Sequence, residues 1–258
     1  MHSPKKITFL GTGTSMGVPV IGCKCDVCTS SDPRDNRLRT SILIQHEGHN
    51  VVIDSGPDFR MQMLTHHVDS LDALVFTHEH KDHTAGLDDV RAYNFIGKKS
   101  ITVWASERVE QALRNDFHYA FAETKYPGVP EIQFERITDV PFSINALSFQ
   151  PLEVKHHKLP VHGFRISDFV YITDANMIPS ETWPKIQSPK VLVINALRKT
   201  QHISHFTLQE AVDIAREIKA EKTYLLHISH QMGRHDLVSE ELPDGVEIAY
   251  DGLTIEVD

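Results

Sequence analysis

The sequence predicts an α/β protein, and three observations carry that prediction. Short runs rich in β-branched residues recur along the 258 residues, stretches with apolar positions at helical spacing lie between some of them, and several histidines and carboxylates stand where a strand should end. With 40% hydrophobic and 24% charged residues, the composition is that of a chain able to bury a sizeable core, which excludes disorder, collagen and coiled coil.

Strands are read at residues 7–10, 41–45, 51–54, 73–77, 101–105, 169–173, 190–195 and 223–227, each short, apolar and bounded by turn residues. Helices are read at 58–64, 84–95 and 107–122. The clearest places Leu208, Ala211, Val212, Ala215 and Ile218 on one face, with Thr207 and Glu210 spaced as a capping box. No repeat, low-complexity tract or Gly/Ser/Pro linker divides the chain, so residues 1–258 are read as one domain. Tyr126-Pro-Gly-Val-Pro130 is expected to be an exposed excursion.

The 26 Lys and Arg against 35 Asp and Glu leave a net charge of −9, which weighs against broad binding to nucleic acid or an anionic membrane. Arg34, Arg37 and Arg39 form a small basic cluster. No run approaches the roughly 20 apolar residues of a membrane helix. The apolar segment after Lys5 and Lys6 is too short for a secretory signal, so the expected location is cytoplasmic.

The only cysteines are Cys23, Cys25 and Cys28, an odd number crowded into one hexapeptide after Gly22, a poor disulfide framework but a good set of thiolates for one tetrahedral ion. Such an ion needs a fourth ligand from elsewhere. Among 17 histidines, the densest group follows the strand at 73–77, in His78-Glu-His80-Lys-Asp82-His83. In an extended turn His78 and His80 point the same way, while Asp82 and His83 at the next helix start can turn toward a second ion. His46, His49, His66 and His67 lack any partner pattern and are expected to be solvated. Gly11-Thr-Gly13-Thr-Ser-Met-Gly17 misses the spacing of a phosphate loop and is expected to be a tight turn under the metal site.

His-x-His-x-Asp-His after an apolar strand resembles the signature of the metallo-β-lactamase fold superfamily, which implies a sandwich of two mixed sheets flanked by helices. The resemblance assigns Asp174, after Val170-Tyr-Ile-Thr, as a bridging carboxylate and His227, after Thr223-Tyr-Leu-Leu, as the last ligand. For the mid-chain ligand it favours His156 over His157, with His162 also available. One ion then takes His78, His80 and His156, the other Asp82, His83 and His227, with Asp174 shared; Zn²⁺ and Mn²⁺ both suit such ligands. Asp54, after Val51-Val-Ile53, matches an Asp that supports the site without binding metal.

Gly-Thr-Gly-Thr-Ser, Gly-x-Pro and Cys-x-Cys-x-x-Cys together resemble the PhnP-like phosphodiesterases over nearly the whole chain. That resemblance implies a structural zinc on Cys23, Cys25, Cys28 and His230, a catalytic His205 acting on phosphate with His202 as the weaker choice, and a homodimer. It also implies attack by a metal-bridging hydroxide on a small phosphodiester such as phosphoribosyl 1,2-cyclic phosphate. The alternatives are an RNA phosphodiesterase resembling ribonuclease Z and a non-catalytic metal or ligand carrier resembling PqqB.

Overall fold

In the first half of the chain, strands β1 (Lys5–Gly11), β2 (Ser41–His46), β3 (His49–Ile53), β4 (Ala73–Val75), β5 (Ile101–Ala105) and β6 (Ile132–Arg136) lie side by side in that order. The second half repeats the plan with β7 (Phe142–Ile144), β8 (Leu147–His156), β9 (Leu159–Ile166), β10 (Phe169–Ile172), β11 (Val191–Asn195), β12 (Lys222–Leu226) and β13 (Val246–Ile248), after which β14 (Thr254–Val257) returns to pair with β1. These assignments come from a computed structural model that describes residues 3–258. Each half begins antiparallel and turns parallel, from β3 onward in one sheet and from β10 onward in the other. Ligand-bearing crevices of α/β proteins form at the carboxyl ends of parallel strands, and here both sheets send such ends toward one region.

The strands read as almost continuous apolar runs because both their faces are covered. Ile42 and Ile44 point between the sheets, where they meet Phe149, Phe164 and Tyr171, while Leu43 points outward. There it joins Phe59 and Met63 of α1 (Phe59–Thr65). On the far side of the other sheet, Val170, Ile172, Leu192 and Ile194 pack against Ala211, Ala215 and Ile218.

The expected helix at 84–95 is three pieces: α2 (Lys81–Thr84), a 3-10 turn (Leu87–Val90) and α3 (Arg91–Gly97). Gly86 explains the break, since a Cβ there would stand 2.2 Å from the Gly56 carbonyl oxygen. The span 107–122 likewise divides into α4 (Glu107–Asp116) and α5 (His118–Phe121), hinged at Phe117. Helix α6 (Leu208–Ile218) has its reciprocal cap: Glu210 N–H donates to Thr207 Oγ1 at 3.2 Å and Thr207 N–H to Glu210 Oε2 at 2.8 Å. The last helix is α7 (His235–Glu241).

Three surface expectations meet different outcomes. Tyr126, Pro127 and Gly128 are exposed as read, whereas Val129 is half-buried and Pro130 is buried. His46 is buried, because it shares the inward face of β2 with Ile42 and Ile44. Arg37 is also buried, so the three arginines make no common basic surface; its guanidinium donates to Thr12 Oγ1 at 2.8 Å and to the Ala249 carbonyl at 2.6 Å.

Candidate active site

Three strands end in residues whose backbone lies in the left-handed region: Asp54 after β3 (φ 65°), Asp174 just beyond β10 (φ 53°) and His227 after β12 (φ 58°). For residues other than glycine this conformation costs of order 1–3 kcal/mol each and persists where the surroundings hold a functional side chain in place. All three side chains are buried in the same region.

Asp174 stands at the centre. Its Oδ1 lies 3.2 Å from His83 Nε2 and 3.2 Å from His227 Nδ1, while its Oδ2 lies 3.3 Å from His205 Nε2 and 3.8 Å from His78 Nε2. Asp82, His83, Asp174 and His227 place one ligand atom each within 4.8 Å of one another, and so do His78, His80 and Asp174. His156 ends β8, its ring centroid 5.1 Å from that of His80 and 4.6 Å from that of His205. His157 turns away in the following hairpin, exposed and at φ 57°. His162 points into neither cluster.

The donor set fits divalent cations. His78 Nε2 and His80 Nδ1 approach to 3.0 Å, near the roughly 3.3 Å that two nitrogens on one tetrahedral zinc would keep. His83 Nε2 and His227 Nε2 are buried without a hydrogen-bond partner, although such groups are ordinarily paired. Burial pushes His227 down to about 4 and holds His78 and His156 below the usual histidine range, leaving neutral rings with the lone pair that a cation needs. Burial would lower His83 too, yet Asp174, Asp82 and Asp54 around it hold it well above that range. A cation can answer the same three carboxylates in place of that proton.

Supporting groups orient these rings. Asp54 accepts from Thr77 N–H at 2.9 Å and Thr77 Oγ1 at 2.8 Å, and its Oδ2 receives His83 Nδ1–H at 2.7 Å. Such carboxylate-to-imidazole bonds fix which nitrogen faces a metal. The Ser204 carbonyl does the same for His156 Nδ1 at 2.8 Å, and Thr40 Oγ1 reaches His227 Nδ1 at 3.1 Å while donating to the Gly13 carbonyl at 2.8 Å. Thr40, Thr77 and Ser204 were not among the residues singled out by the sequence, which gives no local signal for them. The Gly11–Gly17 loop does lie beneath the site, bonding through Thr14 N–H to the Ile228 carbonyl at 3.1 Å.

Gly56 permits the close approach of the loop after Asp54 to the metal motif: a Cβ there would sit 2.0 Å from the Asp82 carbonyl oxygen. Gly56→Ala is therefore expected to cost about 1–3 kcal/mol, the usual penalty of forced overpacking. Urea unfolding measures this, and an unchanged midpoint would contradict the contact.

A second cluster lies apart from the first. Cys23, Cys25, Cys28 and His230 bring their sulfurs and a ring nitrogen within 4.8 Å of one another, and Cys23 and Cys25 Sγ each stand 3.4 Å from His230 Nδ1. Tetrahedral zinc with one nitrogen and three sulfurs requires about 3.5 Å for that pair. The Cys28 backbone N–H and then His230 draw the Cys25 thiol down to about 6, whereas burial pushes Cys28 up to about 11.

A pocket of about 420 Å³ opens beside His80 and His156. A groove of about 450 Å³ between α1 and α3 is lined by Phe59, Met63, Leu64, Tyr93 and Ile96 and holds no ligand cluster, so the chemistry belongs to the former.

A sandwich of two mixed sheets with this cluster across their parallel strand ends defines a metallo-β-lactamase fold hydrolase, a fold that implies divalent-metal binding. Residues 49–228 match the model of the beta-lactamase superfamily domain, and the chain belongs to that superfamily. Within it, the chain belongs to the PhnP family: a solved PhnP-family diphosphatase is 39% identical, with a TM-score of 0.93 over 99% of this chain and 98% of that one. A relative named octanoyltransferase from Porphyromonas gingivalis is 39% identical over 97% of this chain, which spans about half (51%) of that protein's length. A ribonuclease Z from Pyrobaculum neutrophilum is 24% identical over 87% of this chain and 86% of its own.

Proposed function

We propose that the protein is a dinuclear metal-dependent phosphodiesterase acting on a small cyclic phosphodiester such as phosphoribosyl 1,2-cyclic phosphate. The observation that carries this reading is the division of Asp174, whose Oδ1 faces His83 and His227 while its Oδ2 faces His78. His78, His80, His156 and Asp174 would hold one cation, Zn²⁺ or Mn²⁺, and Asp82, His83, His227 and Asp174 the other. Such a pair supplies charge that lowers the pKa of water and neutralises phosphate oxygens. Asp54 keeps His83 aligned, the Ser204 carbonyl keeps His156 Nε2 free to bind, and burial of Asp174 and His227 excludes bulk water from the floor of the site. We also assign Cys23, Cys25, Cys28 and His230 to one structural Zn²⁺.

His205 stacks on His227 with centroids 4.9 Å apart, and its Nδ1 lies 3.1 Å from both Ser204 Oγ and His202 Nδ1. We assign it to the substrate phosphate, as a donor to a phosphate oxygen or to the leaving oxygen. His205→Ala is expected to keep its metals while kcat falls roughly 10²-fold, within the usual range for a lost acid–base group, and His202→Ala to matter far less. Metal content and kinetics of both variants decide the assignment. Loss of metal from His205→Ala would make it a ligand with His156 and Asp174, with which it shares ligand spacing.

The net charge of −9 and the modest pocket favour a small substrate over RNA. A second reading, hydrolysis of a diphosphate linkage, is favoured by the 39% identity to the PhnP-family diphosphatase. Octanoyl transfer is the name of a relative twice as long and is not proposed for this cluster of imidazoles and carboxylates. The deciding experiment assays metal-reconstituted protein against phosphoribosyl cyclic phosphate, cyclic nucleotides, a bis-aryl phosphodiester, a dinucleoside diphosphate and precursor tRNA. Turnover of the small diesters is expected. Turnover confined to the diphosphate supports the second reading, and turnover confined to tRNA or absent throughout overturns both.

A further inference from the structure

Asp174 holds a left-handed backbone at φ 53° and turns its two carboxylate oxygens to different imidazoles, so the chain on either side of it has to be fixed. Before it, β10 pairs with β11 as far as Ile172 and Ile194. The turn at Asp174 then carries the chain away from that ladder, and the N–H and C=O of buried Ala175 need other partners. The side chain of Asn195, the last residue of β11, supplies them: Ala175 N–H donates to Asn195 Oδ1 at 2.8 Å, and Asn195 Nδ2 donates to the Ala175 carbonyl at 2.9 Å. Asn195 is itself fully buried, and among the described residues its side chain makes no other hydrogen bond.

Amide chemistry accounts for an Asn at the end of the apolar run Val191-Leu-Val-Ile194. A primary amide offers one acceptor and one donor side by side, matching the N–H and C=O of a single extended residue, whereas an ionised Asp has no donor and a Leu of similar size has neither. The Ala175 carbonyl also accepts from Phe206 N–H at 2.8 Å, which ties the Asp174 turn to the segment bearing His205. Farther along, Asn176 N–H donates to the Lys155 carbonyl and Lys155 N–H to the Met177 carbonyl, both at 2.9 Å. Those bonds anchor the following segment without Asn195, whose amide acts one residue from the carboxylate.

We infer that Asn195 is a positioning residue for the dinuclear centre: by clamping Ala175 it holds Asp174 with its two oxygens facing separate cations, and it touches neither cation nor substrate. The inference rests on the dinuclear phosphodiesterase reading for what Asp174 bridges, but its consequence for metal affinity needs no turnover. Outer groups that orient a metal ligand typically contribute 10–100-fold in affinity.

Asn94 provides the control. Its side chain makes the same kind of clamp on backbone: Glu131 N–H donates to Asn94 Oδ1, and Asn94 Nδ2 donates to the Glu131 and Lys99 carbonyls, each at 2.9 Å. That clamp lies where β5 and β6 begin, at the opposite strand ends from the metal motif that follows β4. Asn94→Leu therefore removes a comparable buried amide with no link to Asp174, and it separates a loss of stability from a loss of metal geometry.

The test dialyses wild type, Asn195→Leu, Asn195→Ser and Asn94→Leu against a mild chelator and titrates each with Mn²⁺ by calorimetry, with paramagnetic resonance reporting exchange coupling between neighbouring ions. Asn195→Leu is expected to bind Mn²⁺ roughly 10–100-fold more weakly and to lose the coupling seen in wild type. Asn195→Ser, which leaves room for a water to bridge to Ala175, should shift the same way by less and keeps the inference testable if the Leu variant does not fold. Asn94→Leu should lower the urea midpoint and leave affinity and coupling as in wild type. Unchanged affinity and coupling in a folded Asn195 variant, or an equal loss in Asn94→Leu, overturns the positioning role, and absence of coupling in wild type overturns the bridge along with it. If wild type hydrolyses no phosphodiester while the affinity difference persists, the phosphodiesterase reading fails and the role of Asn195 stands.

Discussion

Asp174→Ala is expected to lower phosphodiester hydrolysis by roughly 10³-fold or more, a loss of about 4 kcal/mol of transition-state stabilisation. Both groups of imidazoles depend on this one carboxylate, with His83 and His227 against its Oδ1 and His78 against its Oδ2. Removing it leaves one group of three nitrogens and another of two nitrogens and Asp82, with the bridge gone and uncompensated repulsion between two cations. Occupancy of both positions should therefore fall together. Plasma mass spectrometry on the purified variant counts the ions, and the Cys23, Cys25, Cys28 and His230 cluster, which shares no atom with the site, supplies an internal standard that should stay filled. Full activity, or two retained catalytic ions per chain, would refute a dinuclear mechanism through this residue.

Why Asp174 could be read from sequence at all has a physical basis. It follows a strand buried on both faces, so Phe169-Val-Tyr-Ile172 is an uninterrupted apolar run whose abrupt end marks the crevice. The same holds for Val51-Val-Ile53 before Asp54 and for Leu225-Leu226 before His227. His78 to His83 were legible because their ligands are contiguous. His156 is different: Leu152, Val154 and His156 share the buried face of β8, but that strand contains Pro151 and its partner β9 contains Pro160 and Gly163. Neither was read as a strand, so only the two-residue step from the apolar Val154 and the family resemblance favoured His156 over His157. The same weakness concealed β6, β7, β13 and β14, which are short or lie at sheet edges.

Arg37 and His46 show a second limit, since local polarity says nothing about distant partners. Arg37 is buried by groups from the other end of the chain: the Ala249 carbonyl, and the His235 ring, whose Nδ1 lies 3.1 Å from its Nη2. Asp35, two residues earlier, accepts from His235 N–H at 2.8 Å, and Asp251 accepts from Leu38 N–H at 2.6 Å and Thr12 N–H at 2.9 Å. Residues 33–39 are thereby fastened to the C-terminal segment without help from the cysteines. The Cys23, Cys25, Cys28 and His230 cluster is therefore not the sole anchor of this segment.

Cys25→Ser is expected to lose one zinc per chain and to lower stability by about 2–5 kcal/mol, the magnitude of losing a cross-link that closes a long loop. The cluster ties residues 23–28 to His230, so the loop it closes spans most of the chain. Unfolding outright is not expected, because the Arg37, Asp35 and Asp251 bonds hold the neighbouring segment, and the two sheets share a core that the cysteines do not enter. At roughly 2–4 °C per kcal/mol for a chain near this size, the melting temperature should fall by about 4–20 °C. Activity should fall less than stability. His230 lies three residues beyond His227, but Ile228 between them remains bonded to Thr12 and Thr14, and Thr40 still reaches the His227 ring. Calorimetry, metal analysis and kinetics on one preparation separate these effects. Unchanged zinc per chain, or an unchanged melting temperature after its loss, would show that the four residues hold no structural ion.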